Sequence, residues 1–425
     1  MVKTFDKLDK IKYKKIDYFI VIFIVFISDS LLTSTISNNY IRSAAKWSIV
    51  ILAGILLFWY LYKYKSIKKN FIPIWAIIYV LIFSMLINKD FTGSYVLKAS
   101  VLLFAFLFSH FYDNTKFLNI YLKLMRFISA LSLIVLIFSR YLIHLPLIPV
   151  VRNTIGREYA TLFFTNIPLL PHLMSRNMGP FWEPGAYQSF LIIALFIALF
   201  TNNKFKRLDI FIFSLTLIST FSTTAVISIV PVFIAYILNR EKFSRKSYKS
   251  IIIIVGLLGI GYIFLNESIY TKLFEKIHLG IETDSFASRY FSIVGNIELF
   301  LKNPLLGVGP NMMEEGLGQY SVTGRLSVVN TILLNFSMFG VVVGTYYINI
   351  MYKFIHSFIK SKFIVLIVLF GFFLTLSGEN FVYSAFFNTI FFMRKNHEQV
   401  LNQRNRQNNS LGINTETNYE LSSKK

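Results

Sequence analysis

Arg176-Asn-Met-Gly-Pro-Phe-Trp-Glu-Pro-Gly-Ala-Tyr-Gln188 runs directly into Ser-Phe-Leu-Ile-Ile-Ala-Leu-Phe-Ile-Ala-Leu-Phe200. The second half carries no charge and reads as a hydrophobic helix over about 186–201. Pro184 suits the first turn, where a missing N–H costs nothing, and Glu183 then stands at the positive end of the helix dipole. Gly179-Pro180 and Pro184-Gly185 fix the backbone on either side. A polar, aromatic stretch thus meets an apolar span at one point.

The same apolar character recurs along the chain. It is 55% hydrophobic and 17% aromatic with only 15% charged residues. Many of its runs approach the ~20 residues that cross a bilayer. Spans are expected at about 17–36, 44–62, 71–88, 95–112, 126–146, 186–201, 208–222, 223–239, 250–266, 328–352, 363–377 and 380–393. This is an all-α, polytopic integral membrane protein of about twelve helices. Two pairs, 208–239 and 363–393, have almost no connecting loop and read as tight hairpins or broken helices. The absence of cysteine excludes disulfides and thiol catalysis. Lys3 to Lys15 is a basic lead-in before a span-length run, unlike a cleavable signal.

With a cytoplasmic N-terminus, 30 of the 43 Lys and Arg fall on the cytoplasmic side, which places both termini there. Much of the net charge of +22 is then a topology signal and an attraction to anionic lipid, not a nucleic-acid surface. The chain divides into a cytoplasmic N-terminus over 1–16, a membrane domain over 17–393 and a disordered cytoplasmic tail over 394–425. Two outer loops are long, about 146–186 and 267–328. In the second, Asp284 or Ser285 caps a helix with Phe286, Tyr290, Ile293, Val294, Ile297 and Leu301 at helical spacing. Asn303-Pro304 ends it, and the helix is expected to lie in the membrane interface.

The chain has no Walker loop, no H-E-x-x-H, no D-x-D pair and no Cys/His cluster, so no metal or cofactor is expected. Gly340-Val-Val-Val-Gly344 reads as a close-packing site between helices. The external arginines are Arg152, Arg157, Arg176, Arg289 and Arg325, with Arg140 near a helix end. Each either snorkels to lipid phosphates or serves a site. Arg supplies seven of the 13 basic residues on this side, whereas Lys dominates the other, and the guanidinium fork grips phosphate oxygens bidentately. Glu183, beside Trp182 and Tyr187, is either an interface carboxylate or a base for a sugar hydroxyl. Glu379, in Ser377-Gly-Glu-Asn-Phe381, reads as an exposed turn acid. His144, His172 and His278 read as structural or headgroup-facing.

Several pieces together resemble the Wzy-type polysaccharide polymerase and O-antigen ligase superfamily of bacterial membrane glycosyltransferases. Arg176 to Gln188 is similar to its R-x-x-G-x-F-x-E-P element. Ser219-Thr-Phe-Ser-Thr-Thr-Ala225 resembles its T-x-S-R-T-G helix, with Thr223 where Arg is common. Ser288-Arg289 followed by Asn303-Pro-Leu-Leu-Gly-Val-Gly-Pro310 resembles its R…P-L-x-G-x-G run. Asn330-Thr-Ile-Leu-Leu-Asn-Phe-Ser-Met-Phe-Gly340 resembles an N-x-x-L…G helix start. Val329 stands where ligases tend to carry His, which weakens the ligase reading and shifts weight to Glu183 or to a mechanism with no strong protein base.

The resemblance implies a GT-C-like fold and a polymerase in the cytoplasmic (inner) membrane of a bacterium, working on its outer face. The growing glycan would leave undecaprenyl diphosphate for a lipid-linked repeat unit, without metal or cofactor. Arg176, Glu183 and Arg289 would be catalytic. Arg157, Arg325, Trp182, Tyr187, Tyr320, Asn311 and Asn330 would bind substrate. The implied partners are undecaprenyl-diphosphate-linked oligosaccharide, the lipid bilayer, a chain-length regulator and a flippase, with no nucleic acid. A ligase of the same superfamily is the nearest competitor, and a flippase or exporter of lipid-linked glycan is the alternative from another class.

Overall fold

The computed structural model describes residues 13–27, 29–64, 71–146, 148–154, 156–162, 164–170, 176–201, 203–239, 284–318 and 328–394. Within helices, the side chains of 284–290, Thr223, Glu314 and Gly318 are not described. The fold is mostly helical. Four described helices are long and apolar enough to cross a membrane, as expected of a membrane protein: Asn39–Tyr64, Gly93–Phe111, Asn114–Leu142 and Thr331–His356.

The first helix, α1, covers Lys15–Ile27 and packs on α5, Asn114–Leu142. Asp17 anchors that contact, pairing with Lys116 at 2.6 Å and accepting from Tyr112 at 3.1 Å. The expected span 17–36 is too long. After Ile27 the hydroxyls of Thr33 and Ser34 bond back to the carbonyls of Phe26 and Ser30, and a single π-turn, Leu31–Thr35, follows. Short hydroxyl side chains here compete with helix continuation. α5, by contrast, starts twelve residues before the expected 126, because Asp113 caps it by accepting from the Lys116 N–H.

Helices α2 (Asn39–Tyr64), α3 (Ile72–Ile87) and α4 (Gly93–Phe111) form a layer, with α4 between the other two. Trp47, Ile51, Ile55, Phe58, Trp59 and Tyr62 leave α2 exposed, as a lipid-facing side requires. The central column is α6, Pro184–Phe200, in which every residue from Pro184 to Leu199 is buried. Its all-round apolarity demands neighbours on all sides. They are α5, α7 (Lys206–Ser219), α8 (Thr223–Leu238) and α12 (Lys362–Leu376).

The remaining helices are α9 (Asp284–Lys302), α10 (Pro310–Gly318), α11 (Thr331–His356) and α13 (Ala385–Phe392). In the short-loop pairs each helix packs more on other helices than on its sequence neighbour. α7 packs chiefly on α6 and α5, α8 on α12, and α13 on α4 and α11. The expected span 250–266 lies outside the described residues.

One expectation is corrected here. The chain is not all-α: the first long loop holds a three-stranded antiparallel sheet of β1 (Val150–Arg152), β2 (Glu158–Leu162) and β3 (Thr165–Pro168) in that order. Tyr159, Ala160 and Ile167 are buried in it. The helix expected in the membrane interface, α9, has an anchor within the fold. It docks on α11, with the Ser292 hydroxyl donating to the Val329 carbonyl at 2.8 Å and Ser337 to Asn296 at 2.6 Å.

The Gly340-x-x-x-Gly344 motif also does something other than join two helices. Gly340 breaks α11 with φ 81° and ψ 178°. The Pro304–Gly309 segment enters the break. Val341 N–H donates to Pro304 at 2.8 Å, Val308 N–H to Ser337 at 2.8 Å and Gly309 N–H to Met338 at 3.1 Å.

One buried ion pair joins α5 to α7. The Arg126 guanidinium forks onto Asp209, whose carboxylate is fully buried, and Asn203 donates to it at 3.0 Å. Arg126→Ala leaves that carboxylate without its cation and is expected to lower stability by about 3–5 kcal/mol. The Arg126→Met/Asp209→Leu double variant should recover most of the loss. Unfolding in detergent measures both, and a wild-type midpoint for Arg126→Ala would show the pair to be inert.

Candidate functional site

The stretch Asn177–Glu183 is held from three sides. From the α5 and α7 side, Asn177 donates through Nδ2 to the hydroxyls of Ser132 (3.0 Å) and Ser219 (3.1 Å). From the sheet, Asn166 N–H reaches the Gly179 carbonyl at 2.7 Å and Asn166 Nδ2 reaches Phe181 at 3.2 Å. From the first loop, Leu31 N–H donates to Pro180 at 3.0 Å, and Ser30 bridges to Phe181. Gly179 has φ 52°, and a Cβ there would meet the Tyr187 ring at 2.9 Å. No other residue type fits that turn without displacing the ring.

This locked segment delivers Glu183 to the N-terminus of α6, with Pro184 in its first turn as the sequence predicts. Three sequence candidates then gather around one phenol. Tyr159 is buried against Leu31, Met178 and Trp182. Its hydroxyl is hydrogen-bonded to Arg157 and accepts from Asn153 Nδ2 at 3.3 Å, and Glu183 acts on it electrostatically. Burial raises the Tyr159 pKa, Arg157 works against the rise and Glu183 adds to it. The phenol therefore stays protonated and able both to donate and to accept. Arg157, Trp182 and Glu183 are all half-buried, so each keeps a face toward the outside of the fold.

A second carboxylate joins them, and sequence reasoning misplaced it. Glu379 is not an exposed turn acid but 2% exposed. A Cβ on Gly185 would fall inside its carboxylate and would lie 3.8 Å from Glu183 Oε1. The two acids therefore converge over the first turn of α6, where the helix dipole favours negative charge. Only glycine at 185 leaves them room. The Glu379 carbonyl accepts from both the N–H (3.0 Å) and the hydroxyl (2.8 Å) of Thr331, which opens α11. Val329, two residues earlier, is bound by Ser292 of α9. The end of the second long loop is thus tied to the same turn as Glu183.

The other candidates fall elsewhere. Arg176 is half-buried, its Nε donating to the Thr220 carbonyl at 3.2 Å at the α7–α8 turn, beside a water-sized cleft that Asn166 and Asn177 also line. Phe221, in that turn, is a non-glycine residue at φ 47°. Tyr187, expected as a sugar platform, is fully buried. Its hydroxyl meets Ser132 (3.1 Å) and Ser129 (3.3 Å), so its ring belongs to the core. Asn330 sits at φ 78° and caps α11 by accepting from the Leu333 N–H, a structural duty that occupies its side chain. Asn311 is exposed, and its N–H donates to Asp90 at 2.9 Å.

Arg152 makes an exposed pair with Glu158, worth little in stability. Arg140 and His144 are exposed near the end of α5. Arg289 lies on α9, and its side chain is outside the described residues, as are Arg325, Tyr320, His172 and His278.

Two buried polar groups were not singled out by the sequence. Gln188 ends the opening stretch one turn into α6, and its amide has no protein partner among the described residues. Such a group costs stability and needs a reason. Lys98, on α4, is fully buried. Its Nζ donates to the Val382 carbonyl at 3.0 Å and to Asn388 Oδ1 at 3.5 Å, over the Tyr347 ring. Among the described residues no cluster of His, Cys, Asp or Glu has metal-binding form.

No family model, curated protein or solved structure matches the chain. Function therefore rests on the chemistry of the Arg157–Tyr159–Glu183–Glu379 cluster.

Proposed function

We propose that the chain is a metal-independent membrane glycosyltransferase, a polysaccharide polymerase with about twelve spans, both termini cytoplasmic and its site on the outer face. The observation that carries this reading is the convergence of Arg157, Trp182, Glu183 and Glu379 at the buried end of α6. A guanidinium beside a protonated phenol suits a diphosphate in its bound and leaving states. A half-exposed carboxylate suits the hydroxyl that attacks. An indole face suits a sugar ring.

The bond between the glycan's anomeric carbon and the diphosphate oxygen breaks as the acceptor oxygen bonds to that carbon. The hydroxyl proton passes to Glu183, and the electron pair leaves on undecaprenyl diphosphate. Arg157 neutralises the departing charge. The acceptor is the terminal sugar of a lipid-linked repeat unit.

Lys98 favours a second reading, a flippase of the same lipid. Ionisable groups inside spans commonly mark transport pathways. Its ammonium is satisfied by Val382 and Asn388, which fits a structural staple equally. Deleting the protein separates the two. A polymerase leaves single repeat units trapped on the outer leaflet, and a flippase leaves them on the inner leaflet.

A further inference from the structure

A second cavity, of about 130 Å³, opens between the end of α1, the start of α2 and the 380–384 segment. Its polar wall is built from buried groups. Asp29 is 2% exposed and accepts from the Ser384 hydroxyl at 2.5 Å. Ser384 in turn caps α13, with the Phe387 N–H donating to it at 3.0 Å. Thr33 and Ser34 line the side formed by the π-turn, and Tyr383 the side toward α13. Lys46 is exposed where the cavity opens. Opposite lies an apolar face of Ile49 and Leu97, both buried. Lys98, the residue after Leu97, fixes the wall by holding the Val382 carbonyl.

The lining selects its ligand by exclusion. A phosphate would meet the buried Asp29 carboxylate, and like charges repel strongly where water is scarce. An acyl chain would bring only C–H groups to a wall that carries a buried carboxylate, which keeps acceptor capacity beyond its bond from Ser384. A sugar satisfies both faces. Its hydroxyls donate to Asp29 and exchange hydrogen bonds with Ser, Thr and Tyr hydroxyls, while its C–H face covers Ile49 and Leu97. We infer that this cavity binds a saccharide, with Asp29 as its principal hydrogen-bond acceptor.

The inference rests in part on the polymerase reading, because Asn380 lines the cavity and follows Glu379 directly. On that reading a sugar held here is the acceptor.

The test uses the full chain in nanodiscs and two separate probes. One is the free repeat-unit oligosaccharide without lipid or phosphate, read by saturation-transfer NMR. The other is undecaprenyl diphosphate alone. The wild type should bind the oligosaccharide. Asp29→Asn should weaken that binding at least about tenfold, as loss of a charged hydrogen bond does. Ser34→Trp, which fills the cavity from its half-exposed rim, should abolish it with the lipid arm unchanged. Oligosaccharide binding that is absent in the wild type, or equal in all three proteins, overturns the site. Sugar binding that behaves as expected without any lipid diphosphate binding keeps the cavity and removes the polymerase reading.

Discussion

Gly340→Ala is expected to remove most of the folded protein. At φ 81° and ψ 178° only glycine is comfortable, and another residue is strained by about 1–3 kcal/mol. The added Cβ would also land on the Leu305 carbonyl, which belongs to backbone that cannot swing aside. Overpacking of that kind costs a further ~1–3 kcal/mol. The sum is a large part of the roughly 5–15 kcal/mol that holds a typical domain folded. Gly307 makes the reciprocal approach, with φ 72° and the Met338–Phe339 backbone in its way. Gly307→Ala should therefore fail in the same manner. Gly344→Ala is the milder comparison: the nearest atoms to its Cβ belong to the Phe336 ring, a half-buried side chain and not backbone, and its φ is not left-handed. Size-exclusion profiles and unfolding temperatures in detergent separate the three. A monodisperse Gly340→Ala protein with the wild-type unfolding temperature would contradict the crossing.

The second large effect is on activity. Glu183→Gln keeps the shape of the side chain and removes both its charge and its capacity to take a proton. Loss of a general base costs roughly 10²–10⁴-fold in rate. The Glu183 side chain makes no helix-capping hydrogen bond, so the fold has little to lose. The unfolding temperature should stay within a degree or two while polymerisation collapses. A purely structural Glu183 would give the opposite pattern, with near-normal rate.

Much of this arrangement was legible in the chain. Pro184 at the start of an uncharged run located α6 and put Glu183 at its head. Asp284 and Asn303-Pro304 bracketed α9. The helices were legible wherever apolar periodicity decided the structure alone. They failed where hydroxyls intervened, as at Ser30 to Ser34, where side chains satisfy the backbone and stop α1.

The sheet was missed because its strands are only three to five residues long and sit inside a loop. Glu379 was misread because its partner is Gly185, far away in sequence, and only tertiary packing brings the turn over α6. Tyr187 beside Glu183 invited a sugar-stacking role, yet a helix turns that ring inward to Ser129 and Ser132. Lys98 gave no pattern at all. A single charge in an apolar run is visible, but its two acceptors, Val382 and Asn388, come from the other end of the chain.

The most direct measurement follows chain length with purified components. Wild-type and Glu183→Gln proteins in nanodiscs receive undecaprenyl-diphosphate-linked repeat units, with and without a chelator. The expected result is a ladder of polymer lengths from the wild type, unaffected by chelation, and unextended single units from Glu183→Gln. Equal ladders from both proteins, or no ladder from a wild type that binds its lipid substrate, would contradict glycosyl transfer at the Glu183 end of α6.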